Sequence, residues 1–332
     1  PSGACIDIVM RAYNDGVAFR YIISENSDTV YSVTEELTVL AVPQGIKRWV
    51  QSYNSGYEDF YPMSTNGGRQ KGWGFPALFN IEKDTFLLIT EADISHENYG
   101  SMLFNKDDGD TYFVSMPSDA GSRFTIPWQS PWRVLIIGEL SDIVESTLVT
   151  DVSRPCALAD TSWIKPGPAS WIYWAHNHGT KDYQILVEYV DLAAEMGWPY
   201  TLIDWEWDQM GNGGNIEDIV KYANSKGVKP LMWYNSGTTW IDPTPRDRVN
   251  TDEKRAKELA WLNKIGVYGI KVDFFAGDQQ KTMDIYMSIL EDAAKYKIMV
   301  NFHGATVPRG WNRTSSGAYA QSGMTHRICA IR

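Results

Sequence analysis

The sequence predicts an antiparallel β domain followed by parallel β/α units, and three observations carry that reading. Residues 1 to about 150 hold short runs of β-branched and aromatic residues separated by turn signals. A Pro- and Gly-containing stretch, Trp163-Ile164-Lys165-Pro166-Gly167-Pro168, suits a boundary near residue 165. Beyond it, short apolar runs recur about every 30 to 38 residues, with helical periodicity between them.

In the first half the runs Val17 to Ile23, Thr85 to Thr90 and Arg133 to Gly138 read as strands. Asn14-Asp15-Gly16, Asn66-Gly67-Gly68 and Asp107-Asp108-Gly109 supply hairpin turns. Together they predict an antiparallel sandwich. Because the segment from Ala4 to Gly16 already reads as a strand entering a turn, the sequence is expected to begin inside a domain.

In the second half the strand candidates are Ser170 to Trp174, Tyr200 to Trp205, Lys229 to Asn235, Val267 to Phe275 and Ile298 to His303. Between them lie amphipathic segments such as Leu186, Tyr189, Val190, Ala193 and Met196, spaced to pack one face on a sheet. Strand, helix, strand at this interval means a doubly wound sheet or a (β/α)8 barrel. No glycine-rich phosphate fingerprint follows the first strand, which favours the barrel. Only five strands fit, so the barrel is expected to be incomplete, with exposed apolar edges and a tendency to aggregate.

Composition narrows the partners. The 332 residues carry 30 Lys+Arg against 41 Asp+Glu, and no basic cluster offers a surface for nucleic acid or an anionic membrane. No apolar run approaches the roughly 20 residues that span a bilayer. Cys5, Cys156 and Cys329 form no C-x-x-C pair, so neither a disulfide framework nor a zinc motif is read from them.

Barrel chemistry gathers at the C-terminal ends of the strands. There the sequence places Asp204-Trp205-Glu206-Trp207, Trp233-Tyr234-Asn235, Lys271-Val272-Asp273-Phe274-Phe275 and Asn301-Phe302-His303-Gly304. Lys271 and Asp273 are two apart and share a face, so a cation is expected to hold the carboxylate ionised. That suits a glycosidase nucleophile among aromatic side chains, or a structural ion pair. Asp204 suits sugar hydroxyls or a loop cap, and His303 a substrate hydrogen bond or a core position. His176 and His178 lack a third metal ligand at recognisable spacing and are expected to be structural. The aromatic segment Lys47 to Tyr61 is expected to form an edge of the sandwich.

With these residues on the page, the chain resembles glycoside hydrolase family 97. The resemblance runs from Arg11-Ala12-Tyr13-Asn14-Asp15-Gly16 through Thr90-Glu91-Ala92-Asp93, Leu202-Ile203-Asp204-Trp205 and Ile270-Lys271-Val272-Asp273 to Val300-Asn301-Phe302-His303-Gly304 and Pro308-Arg309-Gly310-Trp311-Asn312-Arg313-Thr314. It implies a β-super-sandwich over 1–165, a catalytic (β/α)8 barrel from 166 to 332 of which five strands are present, and a C-terminal β domain not contained in this sequence. Inverting α-glucosidase members place Glu at the positions of Asn235 and Gly304 and Gly at that of Asp273. Retaining, α-galactosidase-like members carry the nucleophile where Asp273 stands. The resemblance therefore implies retention through a covalent glycosyl-enzyme on Asp273, with carboxyl groups about 5 to 5.5 Å apart in the complete site.

It further implies an oligosaccharide or α-galactoside substrate, with Lys271, His303, Asp204, Trp233 and Asn235 as sugar contacts. A calcium cofactor with Glu91 among its ligands, and a periplasmic location, are implied as well. An α-glucosidase of the same mechanism is the alternative, because the sugar's 4-hydroxyl contact is not legible. The sequence departs from the family after Arg313-Thr314: two glutamates spaced six apart, a calcium ligand and the acid/base, are expected there, and Ile328 stands at the acid/base position. No carboxylate side chain follows Asp292, which reads as a frameshift or truncation and leaves a third alternative, a sugar-binding protein without turnover.

Overall fold

The structure, a computed structural model, describes residues 5–68, 72–106, 109–116, 122–315 and 318–319. Asp107 and Asp108 of one expected turn, and the departure around Ile328, lie outside the described residues. The chain forms two compact units. The first holds Pro1–Pro155 with Gly277–Met287 and Thr306–Thr314; the second holds Cys156–Ala276, Ser288–Ala305 and the described residues from Ser315 onward.

The first unit is an antiparallel sheet of eleven strands. These are β1 (Asp7–Tyr13), β2 (Gly16–Val33), β3 (Val39–Ala41), β4 (Arg48–Ser52), β5 (Met63–Ser64), β6 (Trp73–Glu82), β7 (Thr85–Ala92), β8 (Met102–Asn105), β9 (Thr111–Ser115), β10 (Ser122–Gln129) and β11 (Trp132–Gly138). The main path runs β1-β2-β11-β7-β6-β8-β9-β3, with β10 beside β2 and β4 beside β5 and β6. Asn14 and Asp15 close the first hairpin, pairing Tyr13 with Gly16. Gly16 must be glycine, since a Cβ there would lie 2.2 Å from the Leu135 carbonyl oxygen of β11. β10 shows the period-two pattern most plainly: Phe124, Ile126 and Trp128 are buried while the residues between them are exposed. The larger cores gather Phe75, Ala77, Phe79, Ile89 and Leu103 on one side and Trp132, Val134, Ile136 and Leu148 on another. Each large side chain so buried contributes about 1.5–3 kcal/mol. Two short helices follow, α1 (Leu140–Glu145) and α2 (Leu148–Asp151).

The second unit is a parallel sheet in simple sequential order: β12 (Ala169–Trp171), β13 (Tyr200–Ile203), β14 (Lys229–Asn235), β15 (Gly269–Asp273), β16 (Met299–Phe302) and β17 (Ala318–Tyr319). The sixth strand was not expected, and it pairs Ala318 and Tyr319 with Val300 and Asn301. The connecting helices are α3 (Tyr183–Glu195), α4 (Ile216–Ser225) and α5 (Asp252–Ile265); α6 (Gln280–Lys295) follows β15, and α7 (Trp311–Thr314) follows β16. Among the described residues no helix is long and apolar enough to cross a membrane.

Local chemistry sets the helix starts. The Asp182 carboxylate accepts from the Gln184 and Ile185 amides, Asn215 forms a reciprocal box with Asp218, and Thr251 caps α5. On α3 the predicted face is buried at Leu186, Tyr189, Val190 and Ala193, but Met196 is 53% exposed because the helix has ended at Glu195. Strands also end earlier than expected. β15 stops at Asp273 because Phe274 turns left-handed, φ 63°, and β12 stops at Trp171 because a turn returns the His176 amide to the Ile172 carbonyl.

Candidate active site

Parallel register brings the polar strand ends level: Trp233 lies opposite Lys271 and Asn235 opposite Asp273. Asp273, Lys271, Asp204 and Trp233 are all buried there, and His303, on the loop after β16, joins them with 25% of its side chain exposed.

Asp273 is the best-supported carboxylate of the group. Its Oδ2 accepts from the Trp233 indole at 3.0 Å and its Oδ1 from the Phe274 amide at 2.9 Å. His303 Nδ1 stands 3.0 Å from Oδ1 and 2.9 Å from Oδ2, and since an ionised carboxylate only accepts, that nitrogen carries a proton. Lys271 Nζ lies 3.6 Å from Oδ2. Burial alone pushes this carboxyl's pKa up; the His303 hydrogen bond, the charges of Lys271 and His303 and the Trp233 hydrogen bond outweigh it and hold it below the ordinary value. A carboxylate that is both dehydrated and ionised is primed as a nucleophile.

Two backbone features make room for it. Phe274 occupies the left-handed region at a cost of about 1–2 kcal/mol, and the Ser236 hydroxyl holds its carbonyl at 2.7 Å. Gly304 has φ 49°, and a Cβ there would stand 2.8 Å from Asp273 Oδ1. A larger residue at 304 and a carboxylate at 273 thus compete for the same space.

Lys271 is shared between two acids, lying 3.2 Å from Asp204 Oδ2 as well as beside Asp273. Asp204 also accepts from the Trp171 indole at 2.7 Å and the Trp205 amide at 2.8 Å. Trp171 was not singled out in the sequence. It carries the Lys271 ammonium over its ring at 4.8 Å, and its only legible signal is its place at the end of the first parallel strand. Around this group Trp205 stands edge-on to Trp233 and Tyr173, and its indole N–H has no hydrogen-bond partner among the described residues. His178 stacks on Trp205 and pairs with Glu206, while His176 lies edge-on to Tyr189.

Two candidates do not join the cluster. Asn235 is fully buried, and its amide is spent on the loop that follows: Nδ2 donates to the Ile241 and Pro243 carbonyls at 3.0 and 3.1 Å, and Oδ1 accepts from the Gly237 amide. It is a loop anchor rather than an open sugar contact. Glu91, in the first unit, is likewise fully buried. Its carboxylate accepts from Arg133 at 2.6 Å, from Arg309, and from the Ser101 amide and hydroxyl at 2.8 and 2.5 Å. Two guanidiniums occupy the oxygens a calcium ion would need and repel a third cation. Among the described residues no group of three or more His, Cys, Asp or Glu is placed to hold a metal. The residues around Glu91 do not fit calcium.

An antiparallel β unit, parallel β/α units and a buried strand-end carboxylate among aromatics fit a glycoside hydrolase. Residues 2–155 match the family model for the glycosyl-hydrolase 97 N-terminal region, and residues 169–322 that for glycoside hydrolase 97. The chain belongs to glycoside hydrolase family 97. It is 32% identical over 329 residues to a probable retaining alpha-galactosidase of Streptomyces bingchenggensis, covering 94% of this chain and 49% of that one. It is 26% identical over 361 residues to a retaining alpha-galactosidase of Bacteroides thetaiotaomicron, covering 93% and 52%. The crystal structure of a beta-arabinopyranosidase superimposes with a TM-score of 0.89 at 32% identity, over 95% of this chain and 54% of the other. The chain spans about half the length of the curated relatives it matches.

Proposed function

We propose that this protein belongs to an enzyme that cleaves terminal α-galactosides with retention, Asp273 being the nucleophile. The observation that carries the reading is the state of Asp273: buried, yet held ionised by His303, Lys271 and Trp233. The two retaining alpha-galactosidase relatives support the same class.

One Asp273 oxygen bonds to the anomeric carbon as the bond to the leaving oxygen breaks with its electron pair. The leaving oxygen takes up a proton, and water then displaces the carboxylate from the sugar. His303 and Trp233 fix the carboxylate's rotation. Lys271 offsets its charge and Asp204's before and after the attack, and Asp204 accepts from a sugar hydroxyl. Among the described residues no proton donor to the leaving oxygen is identified, so aryl galactosides whose leaving group needs no proton are the appropriate substrates.

A second reading has a specific basis in the beta-arabinopyranosidase likeness. For the L sugar, the β-arabinopyranoside ring is the α-galactoside ring without its hydroxymethyl group, so one nucleophile serves both.

The test is a single-turnover reaction with dinitrophenyl α-galactoside, followed by peptide mass spectrometry. A galactosyl adduct on the peptide containing Asp273 is expected. An adduct elsewhere, or dinitrophenol release with inversion, would sink the reading. Comparing the galactoside with the arabinopyranoside and the α-glucoside ranks the sugars.

A further inference from the structure

Phenylalanine seldom turns left-handed, because its Cβ then crowds the carbonyl oxygen that follows. Phe274 does so directly after Asp273, with φ 63°. A glycine would take this conformation freely, but the ring at 274 stands edge-on to Trp233, 5.9 Å between centroids, and so packs against the indole that supports Asp273. A residue strained in this way persists only where its surroundings over-determine it. Here the surroundings are three consecutive residues after β14, Ser236-Gly237-Thr238.

Two peptide planes meet at the Phe274 Cα, and Ser236 grips both. Its amide donates to the Asp273 carbonyl at 2.8 Å, in the plane that contains the Phe274 amide. Its hydroxyl donates to the Phe274 carbonyl at 2.7 Å, in the next plane. Thr238 closes the clamp: its Oγ1 lies 2.8 Å from Ser236 Oγ and 3.3 Å from the Phe274 carbonyl oxygen, and it accepts from the Ala276 amide at 3.0 Å. Gly237, itself at φ 73°, turns the chain between the two hydroxyls, and the Ser236 side chain is fully buried. The Phe275 amide is held separately, by the Gly304 carbonyl at 3.0 Å. What remains for the Phe274 amide is the carboxylate, and it donates to Asp273 Oδ1 at 2.9 Å. Relaxation of Phe274 out of the left-handed region would turn one or both planes and draw this donor away.

We propose that Ser236 and Thr238 are positioning residues for the nucleophile: their hydroxyls hold Phe274 left-handed, so that its amide stays on Asp273 Oδ1 and fixes the carboxylate for attack. The inference rests on the glycosidase reading above and adds two residues that act through Phe274.

The test measures kcat and KM of the full chain for dinitrophenol release from dinitrophenyl α-galactoside, with the Asp273 adduct followed by mass spectrometry. Ser236→Ala and Thr238→Val are each expected to lower kcat roughly 3- to 10-fold with KM held within about twofold. In a Phe274→Gly background the same two changes are expected to matter less than about twofold, because glycine enters the left-handed region as readily as the right-handed one and needs no clamp. Equal factors in the two backgrounds, or a change confined to KM, would overturn the positioning role and leave Asp273 as the nucleophile. Thr238 is only half-buried and valine conserves its shape, so this variant decides the matter where Ser236→Ala fails to fold. A second readout needs no turnover. In the chain labelled with 15N-phenylalanine, the Phe274 amide proton, assigned by its absence from Phe274→Gly, should resonate at low field while it donates to the carboxylate and move upfield in both hydroxyl variants; an unmoved resonance would overturn the clamp. A parent chain that forms no adduct on Asp273 overturns the glycosidase reading, and this role with it, whatever the amide does.

Discussion

The two units each bury a cluster of charges, and the clusters are built to opposite ends. In the second unit Asp273 is held by Lys271, Trp233 and His303, whose side chain remains a quarter exposed, and Gly304 removes the side chain that would crowd Oδ1. In the first unit Glu36, Arg133, Glu91, Arg309 and Asp278 form a chain of ion pairs in which Glu91, Arg309 and Asp278 are fully buried. Tyr57 donates to Asp278 at 2.5 Å, and Tyr99 donates to Glu36 at 3.2 Å. Burial and charge pairing are common to both. What differs is the partners: Asp273 is held by a partly exposed histidine, a lysine and an indole, Glu91 by two buried guanidiniums and a serine.

The sharpest way to break this comparison is at Asp273. Asp273→Asn should abolish the galactosyl adduct and lower dinitrophenol release by about 10^3-fold or more, while costing less stability than the change at Arg309 described next. Turnover within a few-fold of the parent would move the nucleophile elsewhere.

Arg309→Met should have the opposite signature. It leaves Glu91 and Asp278 as buried acids with one guanidinium fewer, and should cost about 3–5 kcal/mol in a denaturant titration. A loss below about 1 kcal/mol would mean that water reaches the cluster, contrary to its burial.

The pH dependences should also have opposite signs. Burial pushes the Asp278 carboxyl up to about 7 against the Tyr57 hydrogen bond, consistent with three acids sharing two guanidiniums in its cluster. A folded pKa above the unfolded value of about 3.9 means that the native state binds the extra proton, so this group's contribution to stability falls as pH rises from about 4 to 7. Asp273 is depressed instead: its contribution is intact above the unfolded pKa and is lost only as pH falls through the lower folded value. Melting curves of the parent and Asp278→Asn between pH 4 and 7 should differ in slope, the variant losing less stability as pH rises. Parallel slopes would show that Arg309 keeps Asp278 ionised throughout.

The smallest effect concerns positioning. Trp233→Phe removes one hydrogen bond to a charged oxygen, worth about 1.5–3 kcal/mol, and should lower kcat for the aryl galactoside roughly 10- to 100-fold with little change in KM. A change confined to KM would make Trp233 a sugar contact instead of a support for Asp273.

Much of this was legible in the residues. The runs Thr85 to Thr90 and Arg133 to Gly138 and the spacing of Leu186, Tyr189, Val190 and Ala193 mark strand and helix before any coordinates are known, because β-branched runs suit a pleated sheet and a period of 3.6 decides which side chains of a helix face a core. Lys271 and Asp273 share a face because side chains alternate along a strand. Other assignments depended on contacts that no spacing encodes. Asn235 and Glu91 are polar residues at plausible positions, but hydrogen-bonding capacity is finite: the loop after β14 consumes one, and Arg133, Arg309 and Ser101 consume the other. Trp171 reads as one more apolar strand residue, though its indole N–H holds Asp204.

The sequence by itself therefore determined the order of the two architectures, the strand ends that carry polar groups and the strand-end carboxylate that shares a face with a lysine, since these follow from local periodicity and neighbour spacing. Only the tertiary structure decided which partners each carboxylate has, because burial, the direction of a pKa shift and the filling of an oxygen's lone pairs are set by residues far apart in the chain. Asp273 and His303 are 30 positions apart, and Glu91 and Arg309 are 218 apart. Their meeting made one acid a candidate nucleophile and closed the other.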